Sequence, residues 1–346
     1  MKLIINEFDR VKKFLSDLDE YSLVYHKDSD GVCSAVLLSK FLGTPKVVSP
    51  NDLPGIGITD MLVNSINSTK KIIFTDLPVD QTSYDKIKRE TLIIDHHIPK
   101  TNLNKVSNKF IHVNPRFSDP NAYYPASYIV YKISEPLGMD VKKCSWISAV
   151  GVIGDHGEKT CKDVIEDAIR DHGIDRNDLN FLSNIIESSK GVKGMSGISE
   201  AYQIFLNAES PKDVLESKLI GYYHKYQKEI NQLISDFRYH SEFFPETDSY
   251  LYEIKSRYNI TSVLSTKISE EMPDSAVFVY KVRDYLFISA RCQTGRINVG
   301  KLMEKLSEGI GSGGGHPQAA AATIPKKHIE EFMERLRKYL EGIQSV

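Results

Sequence analysis

Thr91-Leu92-Ile93-Ile94-Asp95-His96-His97 runs from four residues suited to a buried strand straight into one carboxylate and two imidazoles. A strand of that kind ordinarily continues into hydrophobic residues or turns on Gly or Pro. In open α/β sheets, ligands bind outside the carboxyl ends of the strands. Three adjacent residues able to bind metal or phosphate at such an end point to chemistry. A lone His near a strand end is usually a surface or hydrogen-bonded residue, so the triplet needs support from the rest of the chain.

Working outward, the first half alternates strands and helices. Phe8, Val11, Phe14, Leu15 and Leu18 recur at helical spacing. Leu23-Val24-Tyr25 reads as a strand and Val32 to Leu42 as a helix. Further strands are expected at Lys46-Val47-Val48, at Lys71 to Thr75 and at Phe110 to Val113, with a polar helix near Asp80 to Arg89. Helices follow around Ala126 to Ile133 and Ser145 to Val152. This alternation predicts βαβ units and a mostly parallel sheet with helices on both faces.

The middle is helical and polar. Leu215, Leu219, Tyr222, Tyr226, Ile230, Leu233 and Phe237 predict one long amphipathic helix. The last third changes character. Strands are expected over Tyr250 to Ile254 and Ala276 to Val282, with a hairpin at Arg283-Asp284 into Tyr285 to Ala290. A helix near Val299 to Leu306, a glycine-rich loop, an alanine-rich strand and a closing helix from Lys327 complete a smaller α+β lobe. The expected division is an α/β lobe over 1–190, a helical linker over 191–245 and the α+β lobe over 246–346.

A chain of 346 residues is long enough for two cores. The formal net charge is −2, so nothing marks a protein that coats long nucleic acid. Cys33, Cys144, Cys161 and Cys292 are scattered and include no C-x-x-C pair, which fits a reducing cytoplasm better than a disulfide framework or zinc knuckle. The opening Met-Lys-Leu-Ile-Ile-Asn turns polar too soon for a signal peptide. No apolar stretch approaches the roughly 20 residues that span a bilayer. A cytoplasmic protein without membrane contact is expected.

Further polar residues interrupt the apolar pattern at strand and helix ends. The first strand leads into His26-Lys27-Asp28-Ser29-Asp30-Gly31. Turned backbone there could bring His26, Asp28 and Asp30 to one side, Gly31 permits the turn, and the helix N-terminus adds partial positive charge. An EF-hand is excluded, because no Asp or Asn follows at the next ligand position and no Glu closes a twelve-residue loop. Asp76 follows the third strand, and Gly154-Asp155 ends an apolar helix. Carboxylates converging on one crevice raise one another's pKa unless cations neutralise them. His and Asp ligands suit divalent transition metals, with Mn²⁺ compatible with the oxygen-rich set.

In the last lobe, Gly311-Ser312-Gly313-Gly314-Gly315-His316-Pro317-Gln318 lets backbone N–H groups approach an anion, with His316 as a further donor. The small residues Ala319 to Ala322 follow at once, which favours a rigid, shaped loop. Arg291 is a candidate phosphate contact. His112, Asn114 and Arg116 lie past a strand end as supporting or substrate contacts, and His156, His172, His224 and His240 receive no role.

With these residues in hand, the chain resembles the DHH-family phosphoesterases over most of its length. The catalytic-lobe motifs are His26-x-Asp28-x-Asp30-Gly31, Asp76, Asp95-His96-His97 and Gly154-Asp155. Gly313-Gly314-Gly315-His316 followed by alanines resembles the DHH-associated domain. The resemblance implies two Mn²⁺ ions, with Mg²⁺ or Co²⁺ as substitutes. His26 and Asp28 would hold one, Asp30, His96 and Asp155 the other, and Asp76 would bridge them, with a water between the metals as nucleophile. His97 would contact the scissile phosphate and Asp95 would orient the histidines. Gly313, Gly314, Gly315, His316 and Arg291 would bind the substrate's phosphate or terminus.

The branch resembled is that of archaeal-type RecJ-like exonucleases and of nano-RNases and cyclic-dinucleotide phosphodiesterases. Bacterial RecJ carries Asp where this chain has His26, and an additional oligonucleotide-binding domain for which there is no room here. The superfamily's inorganic pyrophosphatases lack the glycine-rich lobe. The expected activity is Mn²⁺-dependent hydrolysis of single-stranded DNA or RNA from an end. The alternatives are a phosphoesterase for oligoribonucleotides, phosphoadenosine phosphate or a cyclic dinucleotide, and a DNA replication or repair partner subunit.

Overall fold

The computed structural model describes residues 3, 5–51, 58–78 and 85–343. They form two compact units, Met1–Tyr223 and His224–Val346. Among the described residues no helix is long and apolar enough to cross a membrane.

In the first unit the apolar runs become β1 (Tyr21–His26), β2 (Val47–Asn51), β3 (Lys71–Thr75), β4 (Glu90–Ile94) and β5 (Phe110–Val113). They pair in parallel throughout, in the order β2-β1-β3-β4-β5. This is a doubly wound order, whose direction reverses between β1 and β3. Parallel strands need crossover connections, so both faces are covered and the central strands are apolar on both sides. Leu23, Ile73, Leu92 and Ile94 face one core; Val24, Ile72, Phe74 and Ile93 face the other.

The helices of this unit are α1 (Phe8–Ser16), α2 (Ser29–Leu42), α3 (Asp60–Ile66), α4 (Ala126–Ser134), α5 (Ser145–Gly154), α6 (Lys162–His172), α7 (Arg176–Lys193), α8 (Met195–Asn207) and α9 (Pro211–Leu215). Residues of α1, α2 and α4 to α8 build the larger core, while Val63 and Ile66 of α3 cover the opposite face. Of the polar helix expected near Asp80 to Arg89, residues 80–84 lie outside the described residues, and 85–89 form a turn and bend before β4.

Three local readings need correction. The helix expected from Val32 begins at Ser29, because the Asp28 carboxylate accepts a hydrogen bond from Gly31 N at 2.9 Å and caps it. Gly31 therefore lies inside the helix and does not supply a turn into it. A Cβ there would collide with the His26 carbonyl, so glycine lets the helix start sit on the end of β1. The amphipathic helix expected from Leu215 is interrupted: Leu215 ends α9, and α10 (Leu219–His240) starts after a break at 216–218.

The second unit holds a six-stranded sheet in the order β10-β11-β9-β8-β7-β6. Its strands are β6 (Glu242–Phe244), β7 (Ser249–Glu253), β8 (Ala276–Val282), β9 (Tyr285–Cys292), β10 (Ser312–His316) and β11 (Ala319–Pro325). The hairpin at Arg283-Asp284 forms as read, and only β7 and β8 run parallel. Helices α11 (Thr261–Glu271), α12 (Val299–Ser307) and α13 (Ile329–Leu340) complete the unit. Leu302, Met303 and Leu306 of α12 and Phe332, Leu336 and Leu340 of α13 share a core with Ala290, Ala320 and Ala322.

The glycine-rich loop is the fourth correction. Ser312–His316 is an edge strand, paired antiparallel with β11. A Cβ on Gly315 would run into the Ala319 carbonyl. Gly314 and Gly315 take φ of 151° and 150°, a conformation reserved in practice for glycine. Pairing and close packing, more than anion binding, explain why these positions are glycine.

Candidate metal centre

β1, β3 and β4 lie side by side, so their carboxyl ends deliver His26, Asp76 and the Asp95-His96-His97 triplet to one place. Asp28 and Asp30 join them from the start of α2, and Asp155 from the C-cap of α5. The six expected metal ligands, with Asp95 and His97, are thereby brought together from four separate stretches of chain.

Asp76 is the centre of the arrangement. Its N–H donates to the Ile94 carbonyl at 2.8 Å, and its φ is then 59°. Left-handed backbone is uncommon for any residue but glycine, and Asp is among the more tolerant. The turn points one carboxylate both ways. Oδ2 lies 3.4 Å from His26 Nδ1, which is 2.5 Å from Asp28 Oδ2. Oδ1 lies 3.1 Å from His96 Nε2, which is 3.4 Å from Asp155 Oδ2. Within each of three sets, His26–Asp28–Asp76, Asp30–His96–Asp155 and Asp76–His96–His97, the donor atoms lie within 4.8 Å of one another.

This donor set fits divalent cations. Asp76 is 1% exposed, yet both of its carboxylate oxygens lack a hydrogen bond, as do the buried His26 Nδ1 and His96 Nδ1. The charged neighbours are close but poorly angled for proton sharing. A buried polar atom left unpaired costs about 1–3 kcal/mol, and a cation would satisfy several at once. Imidazole and carboxylate together suit Mn²⁺ and its neighbours.

The electrostatics agree. Burial disfavours charge on His26, but the close carboxylates of Asp28 and Asp76 outweigh it and push the imidazole up to about 10. His96 is likewise opposed by burial and pushed up to about 10, chiefly by Asp76, then Asp30 and Asp155. Burial, with the Asp76 charge, drives the Asp30 carboxyl well above its usual range, and burial raises Asp155. Without cations, the fold can keep these groups together only by holding protons.

A surrounding layer fixes the donors. Asp95 Oδ1 is 2.8 Å from His97 Nδ1, and against the effect of burial this contact lowers the Asp95 carboxyl. Asp95 thus orients His97, leaving the other ring nitrogen to face outward. His96 is set instead through its backbone: Arg116 Nε donates to its carbonyl at 2.8 Å. Asn114 Nδ2 donates to the His97 carbonyl at 2.9 Å. His112 is buried with neither ring nitrogen partnered, and burial pushes it down to about 4. Both Asp30 oxygens accept backbone N–H groups, from Ala126 at 2.6 Å and Ser127 at 2.9 Å. Gly151 has no room for a side chain, because a Cβ would meet Ser127 and lie 3.0 Å from Asp30 Oδ1.

Tyr123 is a site residue that the sequence reading missed. Its hydroxyl lies 2.8 Å from the carbonyl and from Oδ2 of Asp155, and its ring is 5.3 Å from His96. Pro125, two residues on, marks only the helix start that receives the Asp30 carboxylate.

The remaining predicted residues stand in the second unit. His316, Ala319 and Arg291 form one row across β10, β11 and β9. The Arg291 guanidinium donates to Ser262 at 3.0 Å, Thr266 at 3.1 Å, Ser289 at 3.1 Å and the Ala290 carbonyl at 2.9 Å. Among the described residues it has no carboxylate partner. Gly313, Gly314 and Gly315 belong to the same edge strand as His316.

Comparison with known proteins is informative at the level of fold. Residues 249–342 match the DHHA1 domain family. No curated protein sequence matches the chain. A DHH-domain structure described as a member of the s1p family of ribosomal proteins aligns with TM-score 0.71 at 16% identity, over 98% of this chain and 90% of that one. A structure of exonuclease RecJ bound to manganese aligns with TM-score 0.69 at 15% identity, over 98% of this chain and 96% of that one. The pGpG-specific phosphodiesterase PggH of Vibrio cholerae aligns with TM-score 0.53 at 17% identity, over 94% and 100%.

Proposed function

For a chain with a C-terminal DHHA1 domain and the fold shared by DHH-domain and RecJ proteins, we propose metal-dependent phosphodiester hydrolysis, releasing nucleotides from an end of single-stranded DNA or RNA. The observation that carries the reading is Asp76, buried, left-handed and unpaired at both oxygens between two His–Asp sets. In this reading His26 and Asp28 would hold one Mn²⁺, Asp30, His96 and Asp155 a second, and Asp76 would serve both. Two such cations, when bound, activate water and neutralise charge on the attacking and leaving oxygens.

The chain's own groups supply the rest. His97, held by Asp95, presents its free nitrogen to a phosphate oxygen and donates a hydrogen bond that strengthens as negative charge builds there. Burial opposes charge on its imidazole, but Asp95 raises it, which favours the form that donates from both ring nitrogens. Tyr123 restrains Asp155, and Arg116 and Asn114 hold the backbone of the triplet. Arg291, with four of its five N–H donors held by protein acceptors, offers its positive charge and one remaining N–H to phosphate, with His316 one row-mate away and Gly313, Gly314 and Gly315 alongside. The substrate's phosphate or terminus is their assigned ligand.

The test is digestion of end-labelled DNA and RNA ladders with Mn²⁺, wild type against Asp76→Ala. Stepwise shortening from one end is expected, with activity lost by at least about 100-fold in the variant, beyond the effect of losing a supporting contact. No cleavage of any strand, with pyrophosphate hydrolysed instead, overturns the proposal. The likeness to PggH along that protein's whole length favours a second reading, a phosphodiesterase for dinucleotides. Rates on dimers against longer oligomers separate the two.

A further inference from the structure

β5 is an edge of the first unit's sheet, paired with β4 alone among the described strands. Lys109 and Val113 turn their carbonyls to β4, where the Thr91 and Asp95 N–H groups meet them at 2.8 Å and 3.0 Å. Alternation along the strand then aims the backbone groups of Phe110, His112 and Asn114 away from β4. Buried backbone groups need partners, and side chains supply most of them here. The Arg10 guanidinium donates to the Phe110 carbonyl at 2.7 Å. Asn104 donates to the His112 carbonyl at 2.8 Å and accepts its N–H at 2.8 Å. Asn6 donates to that same carbonyl at 2.7 Å and accepts the Asn114 N–H at 3.0 Å.

Asn6 differs from the other two. Shielding an edge strand from further pairing accounts for Arg10 and Asn104, whose contacts with this edge stop at His112. β5 ends at Val113, so the Asn114 N–H lies past the strand. One carboxamide grips backbone groups on either side of Val113, as a residue of a sixth parallel strand would. The residue it grips serves the triplet. Asn114 is fully buried; its amide donates to the His97 carbonyl at 2.9 Å, and its side-chain oxygen accepts the Arg116 N–H at 3.0 Å. Arg116 in turn donates from Nε to the His96 carbonyl at 2.8 Å. Hydrogen bonds therefore lead without a gap from Asn6 to the backbone of both histidines, starting 108 positions before Asn114 in the chain.

We propose that Asn6 is a positioning residue for the metal centre: by fixing Asn114 it sets where the backbone of His96 and His97 stands at the end of β4. This role rests on the metal-dependent reading and extends it to a contact from outside the sheet. With Asn114 free to shift, the His96 ring could turn from Asp76 and Asp155. A ligand that must be ordered on binding holds its cation more weakly. Loosening the edge nearer the start of β5 has no such consequence. Arg10 bonds Glu7, Asn104, Asn108 and Phe110 there and reaches neither histidine nor Asn114.

The experiment titrates MnCl₂ into the chelator-stripped full chain by calorimetry, with thermal melting in EDTA alongside. Asn6→Ala is expected to weaken Mn²⁺ binding by at least about tenfold, the scale on which partners of metal ligands act. Arg10→Ala lowers the melting temperature but keeps the affinity within about threefold of wild type, as a site not coupled to the centre should. Asn6→Asp keeps the acceptor for the Asn114 N–H and should also stay within about threefold; being isosteric, it reports even where the alanine variant fails to fold. Asn6→Ala/Asn114→Ala should bind no more weakly than Asn114→Ala, because an effect carried through Asn114 cannot be lost twice. An unchanged affinity in Asn6→Ala, a loss beyond the stated range in Arg10→Ala or Asn6→Asp, or additive losses in the double variant overturns the positioning role. Hydrolysis of bis(p-nitrophenyl) phosphate with Mn²⁺ is followed in parallel. Mn²⁺ binding that depends on Asn6, without turnover, defeats the phosphodiesterase reading alone. Turnover with binding indifferent to Asn6 defeats the positioning role alone, and a wild type that takes up no Mn²⁺ defeats both.

Discussion

Loading the centre with Mn²⁺ should expel about two protons per chain. His26 and His96 are both pushed up to about 10 in the metal-free fold. At pH 7.5 each is then more than about 99% protonated, while a metal ligand must be the neutral imidazole. Two imidazolium protons therefore leave as two cations enter. Asp30 and Asp155, whose carboxyls are raised chiefly by burial, can only add to that number. The assay is calorimetric titration of MnCl₂ into chelator-stripped protein at pH 7.5, in buffers of different ionisation enthalpy. The slope of apparent heat against buffer enthalpy counts the protons released. Apparent affinity summed over both cations should rise about 100-fold per pH unit between pH 6.5 and 8, tenfold for each proton displaced. A release near zero, with affinity flat across that range, would refute the assignment of His26 and His96 as ligands.

Three more outcomes follow from the same geometry. In EDTA, the raised imidazoles stabilise the fold fully below their unfolded pKa of about 6.5, and that contribution is lost as pH rises through about 10. Thermal melting should accordingly show the metal-free chain losing stability from pH 6.5 to 9, with the loss abolished by Mn²⁺ below pH 8. Asn114→Ala removes the donor to the His97 carbonyl and the cap on Arg116 N; it should weaken metal affinity or turnover by about 10–100-fold and cost about 1 kcal/mol of stability in denaturant unfolding. Gly31→Ala forces a methyl against the His26 carbonyl and should cost about 1–3 kcal/mol in denaturant unfolding.

Much of this architecture was legible in the residues. β3 and β5 run over the very residues expected, because each is an apolar segment buried on both faces and bounded by polar residues. The grouping at the centre was legible for a related reason. His26, Asp76 and His96 interrupt apolar patterns at the ends of neighbouring parallel strands, where only a ligand or a cap repays the loss of hydrophobic burial. What escaped is long-range or depends on neighbours. Tyr123 reaches Asp155 across 32 positions of chain, and nothing in its own segment announces this. Pro125 marks the helix start whose N–H groups hold Asp30, but nothing local names the carboxylate they receive. Gly31 and Gly315 were assigned to turn and loop, but what requires glycine is another backbone pressed against them. The strand at 312–316 has no strand-like composition, and its conformation comes from pairing with β11.

The central claim is that Asp76 joins two cations at the carboxyl ends of β1, β3 and β4. It is tested most directly by anomalous scattering from crystals of the chain grown with Mn²⁺. The account predicts two manganese peaks about 3.5–4 Å apart, one beside His26 and Asp28, the other beside Asp30, His96 and Asp155, with an Asp76 oxygen on each. A single peak away from Asp76, or none at saturating Mn²⁺, would contradict it.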